Sequence, residues 1–324
     1  MRLVTFVRSD GTAALGALIK DQQSIVDLQA AATRQGGAQP FLASMLSLIQ
    51  SGPAGLGAAR EVAARGSSAD AIPLAGVTLL APLPIPESVR CFSAFEEHVR
   101  RSAQVMLKRI ASQSPDPVKA EKELLAGGKF EVPKLFYERP LYYKGNRFSV
   151  VGTEAQITWP AYSNVVDFEQ ELACVIGARG KDIAKQDATP YIFGYTVCND
   201  LSARDAQAIE MQAPLGPAKG KDFDGGLAMG PCIVTADEFD RSQATMIVRV
   251  NGEEWSRGKA SDMYHSFEAM IEYVSRSETL HPGEIFISGC VGGGSGTEHG
   301  RYPARGDTIE MEIHGIGVLR NRIV

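Results

Sequence analysis

The chain has 324 residues, of which 44% are hydrophobic and 22% are charged, a length that suffices for one large core plus a smaller domain. Its net charge of -5 gives no reason to expect a nucleic acid or an anionic membrane as a partner. The sequence contains neither the ~20 consecutive apolar residues of a bilayer span nor the apolar core of a signal peptide, so we expect a cytosolic protein.

The cysteines are scattered, and no two of them form a CxxC pair. An odd number of cysteines without an export signal favours reduced thiols over disulfides. The missing pairs also leave a zinc or iron–sulfur site with little support. The five cysteines are Cys91, Cys174, Cys198, Cys232 and Cys290.

The first part of the chain predicts a small module. Residues 1–30 alternate as short strands do, and residues 41–65 carry apolar residues on one helical face. Three prolines within residues 82–86 then mark a linker. We therefore predict a small β-rich domain over residues 1–82 and a main domain over residues 83–324.

The main domain opens with a helix predicted over residues 96–113 and continues into a segment rich in charge, glycine and proline. This composition is typical of a mobile lid, which we place at residues 99–140. A series of short apolar strands follows, with a further helix among them. The pattern predicts a mostly β or α+β fold with a rolled or sandwiched sheet, and it argues against a doubly wound sheet.

Two glutamates interrupt an otherwise apolar stretch at residues 167–176. Because strand side chains alternate with period 2, Glu169 and Glu171 point to the same face and repel each other, more so when buried. A hard divalent cation between them would offset the repulsion, since such ions prefer oxygen ligands. The alternative is a solvated strand face, but the apolar flank argues against it.

Four further polar residues suggest chemistry, and each also has an ordinary structural explanation. Asp200 ends an apolar strand, where it could complete a metal site or cap the next helix. Lys221, among glycines, could stabilise an oxyanion or be a solvated lysine. His98, at a predicted helix start, could be a general base or merely exposed. Glu298 lies in a glycine-rich loop that could bind an anion through backbone N–H groups or be a flexible surface loop.

Taken together, these motifs resemble the fumarylacetoacetate hydrolase superfamily over roughly residues 85–324. The resemblance rests on five segments in the family's order: FEQELACVIG, NDLSARDAQ, GPAKGKDF, SDMYHSFEAMIEYVSRSETLHPGEIFISG and GDTIEMEIHGIGVLRNRI. It implies a mixed β-sandwich roll, usually a homodimer, often preceded by a small SH3-like barrel.

The resemblance also implies roles for individual residues. Glu169, Glu171 and Asp200 match the carboxylates that hold magnesium, manganese or calcium. His98 matches the base that activates water, and Glu298 matches the carboxylate that orients this histidine.

Four more positions match groups around the metal and the substrate. Gln207 and Lys221 correspond to the oxyanion donors. Arg204 corresponds to a residue near the substrate oxygens, and Tyr143 to a tyrosine that contacts the substrate.

The sequence departs from the family pattern at two cysteines. Cys91 stands where some members supply a further metal-binding aspartate; because a hard cation gains little from a thiol, we expect three protein carboxylates plus water. Cys290 replaces a threonine of many members at a substrate contact. In the long lid, the substrate arginine is not identified by spacing, and Arg101, Lys108 and Arg109 all remain candidates.

The resemblance predicts a hydrolase that cleaves a carbon–carbon bond in a small 1,3-diketo acid, such as fumarylacetoacetate or an acylpyruvate. Three alternatives remain open: a 2-oxo acid decarboxylase, a hydroxymuconate-type tautomerase, and a metal-binding homologue without catalysis. The lid, Tyr143, Met211 and the loop around residue 290 would set the specificity, but no rule converts them into a substrate.

Overall fold

The computed structural model describes residues 1–19, 22–66, 70–128, 130–213 and 215–324. Its helices are α1 (Leu28–Arg34), α2 (Met45–Gln50), α3 (Gly52–Ala64), α4 (Glu96–Ala111), α5 (Pro117–Ala126), α6 (Lys134–Glu138), α7 (Arg204–Glu210), α8 (Phe267–Ser275) and α9 (Gly296–His299). The first nine strands are β1 (Arg2–Val7), β2 (Ala13–Leu18), β3 (Ser24–Asp27), β4 (Ala71–Pro73), β5 (Val89–Phe92), β6 (Tyr142–Gly145), β7 (Val150–Val151), β8 (Gln156–Ile157) and β9 (Val166–Asp167). The others are β10 (Gln170–Ile176), β11 (Ile192–Asp200), β12 (Ser202–Ala203), β13 (Leu227–Thr235), β14 (Thr245–Val250), β15 (Glu253–Lys259), β16 (Ile285–Ile287), β17 (Thr308–Ile313) and β18 (Gly317–Ile323).

The largest sheet has the strand order β4-β3-β2-β1-β13-β11-β10-β16-β5-β6, and β7 pairs with β13. Within it β1 runs antiparallel to β13, with Leu3 opposite Ile233. The N-terminal strands therefore continue the main sheet through this pair. The SH3-like form expected for the N-terminal part is not confirmed, and the boundary near residue 82 stays a prediction.

A second sheet, with the order β15-β14-β17-β18-β8, packs against one face of the large sheet. The helices α1, α2 and α3 cover part of the other face of the large sheet. These packed layers confirm the predicted fold class of sandwiched sheets with helices.

Strand β10 shows why the central strands read as continuously apolar, because both of its faces are buried. Leu172 and Cys174 belong to the core between the two sheets, together with residues of β14, β17 and α8. Ala173 and Val175 belong to the core under the N-terminal helices. The alternation places Glu171 on the same face as Ala173 and Val175, beside the buried thiols of the neighbouring strands.

The predicted lid contains α4, α5 and α6, and its mobility stays a prediction. Helix α4 has acidic residues in its first turn and basic residues in its last, which complements the helix dipole. No helix in the described part of the chain is long and apolar enough to cross a bilayer. All five cysteines are free and buried.

Gln170 joins the two sheets. Its fully buried side chain donates from Nε2 to the carbonyl oxygens of Ile247 and Glu312, at 3.0 and 2.9 Å. These acceptors lie opposite each other on β14 and β17. One amide thus satisfies two carbonyls of the facing sheet, at the position between the two glutamates.

We expect Gln170→Leu to lower the free energy of unfolding by about 1–3 kcal/mol, because a side chain of similar size would leave the two buried carbonyls without their donor. Chemical denaturation measures the loss. The matched control is Gln212→Leu, since the exposed Gln212 amide bonds only to Ala208 of its own turn. Equal unfolding midpoints for wild type and Gln170→Leu would contradict the proposed link between the sheets.

Candidate active site

Three buried carboxylates meet where β10 begins and β11 ends. Glu169 immediately precedes β10, Glu171 lies on it, and Asp200 is the last residue of the paired strand β11. One oxygen atom from each lies within 4.8 Å of the others. The structure therefore brings together the three predicted metal ligands, and it excludes the solvated face because each residue is at most 7% exposed.

The ammonium group of Lys221 lies between two of these carboxylates. Its Nζ is 2.7 Å from Glu169 Oε2 and 2.9 Å from Asp200 Oδ2, and it also donates to the backbone carbonyl of Asp200 at 3.0 Å. Burial alone would lower the pKa of Lys221, but Asp200 and Glu169 outweigh burial and raise it. The lysine is therefore a buried, paired cation, not a solvated loop lysine.

A glycine allows this lysine loop to pack tightly on α7. A Cβ atom built on Gly220 would lie 2.6 Å from Cβ of Gln207, closer than real contacts allow. The glycine before Lys221 is therefore needed for close approach.

Arg204, the first residue of α7, is the second buried cation. Its Nε donates to Asp167 Oδ2 at 2.8 Å, its Nη2 to Glu169 Oε1 at 2.9 Å, and its Nη1 to Gln207 Oε1 at 3.0 Å. Burial alone would lower the pKa of Arg204, but Glu169 and Asp167 raise it. Arg204 and Gln207 thus lie beside the carboxylates, as the resemblance implied, with their polar groups already bonded to each other.

Asp167 is a site residue that the sequence reasoning missed. Its fully buried carboxylate accepts hydrogen bonds from the backbone N–H groups of Gly296 and Thr297, at 2.8 and 3.0 Å, and from Arg204. It therefore ties α7 to the glycine-rich loop. The available signal was the spacing, since Asp167 precedes Glu169 by the same two residues that separate the glutamate pair.

The two cations act unequally on the three carboxylates. Burial would raise the pKa of Glu169, but Lys221, Arg204 and His98 overcome it and lower the pKa. Burial raises the pKa of Glu171 well above its usual range, and the negative charges of Asp200 and Glu169 raise it further.

Glu171 and Asp200 have fewer partners than Glu169. Glu171 Oε2 accepts a hydrogen bond from the backbone N–H of Gly289 at 2.7 Å. Burial raises the pKa of Asp200, and its Oδ1 is buried without a hydrogen-bond partner among the described residues. An oxygen-only donor set with an unsatisfied oxygen and an excess of negative charge fits a hard divalent cation.

His98 and Glu298, which lie 200 residues apart, come together at the edge of this cluster. His98 lies in the first turn of α4, with Nδ1 3.1 Å from Glu298 Oε2 and Nε2 3.6 Å from Glu169 Oε1. Nδ1 and the carboxylate are within reach but not aligned as a hydrogen bond, so the imidazole must rotate to form one. The other ring nitrogen faces the carboxylates.

Glu298 is held in place by its own loop. Its carboxylate accepts hydrogen bonds from the backbone N–H of Gly293 at 2.8 Å and from the hydroxyl of Ser295 at 3.1 Å. It also accepts from the backbone N–H of Ser295 at 3.3 Å, and this contact belongs to the capping box of α9. The side chain has no exposed surface. Glu298 is therefore not a charge on a flexible surface loop, and its backbone contacts limit its movement towards His98.

Tyr143 and the two cysteines also contact the cluster. The Tyr143 hydroxyl donates to Asp200 Oδ2 at 2.7 Å, and Cys91 lies opposite Tyr143 across the β5–β6 pair. Burial, Asp200 and Glu171 raise the pKa of the Cys91 thiol. The sulfur of Cys290 lies within 4.8 Å of donor atoms on His98 and Glu169.

The three candidate cations of the lid differ in their placement. A Cβ atom built on Gly293 would lie 3.1 Å from Nη1 of Arg101, which places Arg101 beside the glycine-rich loop. Lys108 and Arg109 are exposed in the last turn of α4. Arg101 is therefore the best placed of the three to reach a ligand above the cluster.

One relative aligns with the whole chain. The mitochondrial oxaloacetate tautomerase of Xenopus laevis is 30% identical to it, and the alignment covers 100% of this chain and 90% of that protein.

Two solved structures share the fold. The fumarylacetoacetate hydrolase of Exiguobacterium antarcticum is 26% identical with a TM-score of 0.72, over 100% of this chain and 99% of that one. The maleylpyruvate hydrolase of Sphingobium, solved with manganese(II) and pyruvate, is 24% identical with a TM-score of 0.70, over 100% of this chain and 99% of that one.

The family model of the fumarylacetoacetate (FAA) hydrolase C-terminal domain matches residues 90–324, which is most of the chain. The motifs, the fold and this match agree, and the chain belongs to the fumarylacetoacetate hydrolase family.

Proposed function

We propose that the chain is a divalent-metal-dependent enzyme that moves a proton on a small 2-oxo acid and so interconverts its keto and enol forms. The observation that carries the proposal is the placement of His98, backed by Glu298 at one ring nitrogen and facing the buried carboxylates with the other. The relative that covers the whole chain is an oxaloacetate tautomerase, which supports a 2-oxo diacid as the substrate class.

In this proposal Glu169, Glu171 and Asp200 hold the metal ion. When bound, magnesium or manganese would supply Lewis-acid polarisation of the carbonyl and would hold the oxygens of the 2-oxo acid. Asp200 Oδ1 has no hydrogen-bond partner among the described residues, and burial raises the pKa of Glu171, so both groups favour a nearby cation.

The side chains supply the proton transfer. His98 Nε2 takes a proton from the carbon next to the carbonyl and returns it to the carbonyl oxygen, which becomes the enol hydroxyl. Glu298 keeps the ring in the tautomer with hydrogen on Nδ1 and stabilises the imidazolium that forms. Arg101, beside the glycine-rich loop, would pair with a second carboxylate of the substrate.

Hydrolysis of a carbon–carbon bond in a 1,3-diketo acid is the second candidate. It is favoured by the same His98–Glu298 pair, which can deprotonate a water molecule as readily as a carbon acid. Lys221 and Gln207 would then stabilise the tetrahedral oxyanion. The fumarylacetoacetate hydrolase of similar fold supports this alternative.

Labelled water separates the two reactions. With magnesium or manganese, we expect the enzyme to accelerate deuterium exchange at the carbon next to the carbonyl of oxaloacetate in D₂O, measured by NMR, without breaking a carbon–carbon bond. Acylpyruvates in H₂¹⁸O test the alternative, because only hydrolysis places water oxygen in the new carboxylate. Label in that carboxylate without accelerated exchange would replace the first proposal with the second. The absence of both signals would overturn both proposals.

The metal site predicts a charge effect on the metal-free protein. The raised pKa of Glu171 means that its stabilising protonated form is lost as the pH rises towards its folded-state pKa. We therefore expect metal-free Glu171→Gln to gain thermal stability over metal-free wild type as the pH rises from about 4.5, the ordinary carboxyl range. Its affinity for manganese should fall at least about 10-fold, since a ligand is lost.

Thermal unfolding at several pH values and calorimetric titration with manganese measure the two effects. Glu312→Gln is the control, because Glu312 is a half-buried carboxylate of the other sheet that pairs with Arg249. Unchanged manganese affinity in both Glu171→Gln and Asp200→Asn would contradict the site.

The His98–Glu298 pair predicts non-additive kinetics. We expect His98→Ala to lower the single-turnover rate by about 10²–10⁴-fold, the range of general base catalysis, with manganese affinity retained. Glu298→Gln is the informative second change, because glutamine still completes a capping box but carries no charge. The double variant should be little slower than His98→Ala alone, since the two residues act as one unit. If the rate loss of the double variant equalled the product of the two single losses, His98 and Glu298 would act independently.

A further inference from the structure

We propose that the cleft contains a second metal site of softer character, formed by His98, Glu169 and Cys290, and that zinc bound there inhibits the enzyme. This site shares only Glu169 with the three-carboxylate cluster. Its binding properties do not depend on the reaction, whereas the inhibition rests on the proposed role of His98.

The donor set matches zinc and not magnesium. One nitrogen, one oxygen and one sulfur atom lie within 4.8 Å of one another. Tetrahedral zinc with its usual bond lengths separates such donors by roughly 3.3–3.8 Å. The 3.6 Å between His98 Nε2 and Glu169 Oε1 already falls in this range. Three protein ligands leave a fourth position for water. Imidazole and thiolate bind zinc well, whereas magnesium favours oxygen donors.

Glu298 prepares His98 to be a ligand. A histidine that ligates a metal through one ring nitrogen usually donates from the other to a carboxylate, and this outer contact raises its affinity. Glu298 Oε2, 3.1 Å from Nδ1, is placed for that role. The free Nε2 then points towards Glu169 across a gap of 3.6 Å, too long for a hydrogen bond.

The charges around Cys290 favour a cation. Burial raises the pKa of the Cys290 thiol, and the nearby carboxylates of Glu298, Glu169 and Glu171 raise it further. In the metal-free protein the sulfur donates weakly to the carbonyl of Val291 at 3.4 Å. Zinc binding would release this proton to solvent, because a coordinating thiol is deprotonated.

Arg204 lies near Cys290, and its positive charge opposes metal binding there. Its charge is already paired, because it forms ion pairs with Asp167 at 2.7 Å and with Glu169 at 2.9 Å. The His98 side chain is 18% exposed, whereas Cys290 is 2% exposed. In this proposal a metal ion therefore approaches the buried sulfur from the side of the histidine.

Zinc at this site would block the reaction in two ways. It would occupy Nε2 of His98, the nitrogen proposed to move the proton. It would also draw Glu169 away from the three-carboxylate cluster.

Cobalt(II) added to the metal-free, full-length protein tests the binding without any turnover. We expect a thiolate-to-cobalt charge-transfer absorption that saturates at one equivalent. It should disappear in Cys290→Ser and in Cys290→Thr, two small polar replacements that carry no thiol. Cys91→Ser is the matched control, because Cys91 is an equally buried thiol near Asp200 and Glu171 but lies outside the donor set. Cys91→Ser should keep the band, and Glu298→Gln should weaken cobalt binding about 10–100-fold.

No charge-transfer band in wild type, or a band that survives in Cys290→Ser, would overturn the site. For the inhibition, zinc is titrated at saturating magnesium, and each variant is compared with its own zinc-free rate. We expect the half-inhibitory zinc concentration to rise at least about 10-fold in Cys290→Ser and to stay unchanged in Cys91→Ser. Equal zinc sensitivity with an intact cobalt band would refute the inhibition alone, and the band is observable even if no substrate is found.

Discussion

The ammonium group of Lys221, held between Glu169 and Asp200, is the interaction on which the candidate centre depends. An uncompensated carboxylate is very costly to bury, and this cluster buries three of them in the middle of a sheet. Lys221 offsets part of that cost with contacts of 2.7 and 2.9 Å. It also satisfies the backbone carbonyl of Asp200, which ends its strand. The carboxylates of Glu169 and Asp200 and the ammonium group of Lys221 therefore compensate for each other's burial.

Asp167 extends this compensation outward. It has no exposed surface and accepts bonds from both the Arg204 side chain and the first N–H groups of α9. The same loop holds Glu298 through Gly293 and Ser295. The position of Glu298 beside His98 therefore depends on polar contacts that run from α7 through Asp167 to the glycine-rich loop.

The sequence predicted the parts of this centre that depend on local spacing. The same-face glutamates follow from strand alternation, and strand β11 ends at Asp200 as its apolar run indicated. The contacts of Lys221 and Asp167 were not predictable, because their partners lie up to 130 residues away and no local pattern records them. The β1–β13 pairing is missed for the same reason, since it joins Leu3 to Ile233. Family resemblance recovered the His98–Glu298 pair, which spacing alone could not.

The excess negative charge of the cleft underlies both of the proposed metal sites. Five carboxylates, from Asp167, Glu169, Glu171, Asp200 and Glu298, surround two permanent cations, Lys221 and Arg204. If all five were ionised, three negative charges would remain. A proton on Glu171 or a bound divalent ion reduces this excess. His98 turns Nε2 towards Glu169 and Nδ1 towards Glu298, so the nitrogen proposed to move the proton is also the one proposed to bind zinc.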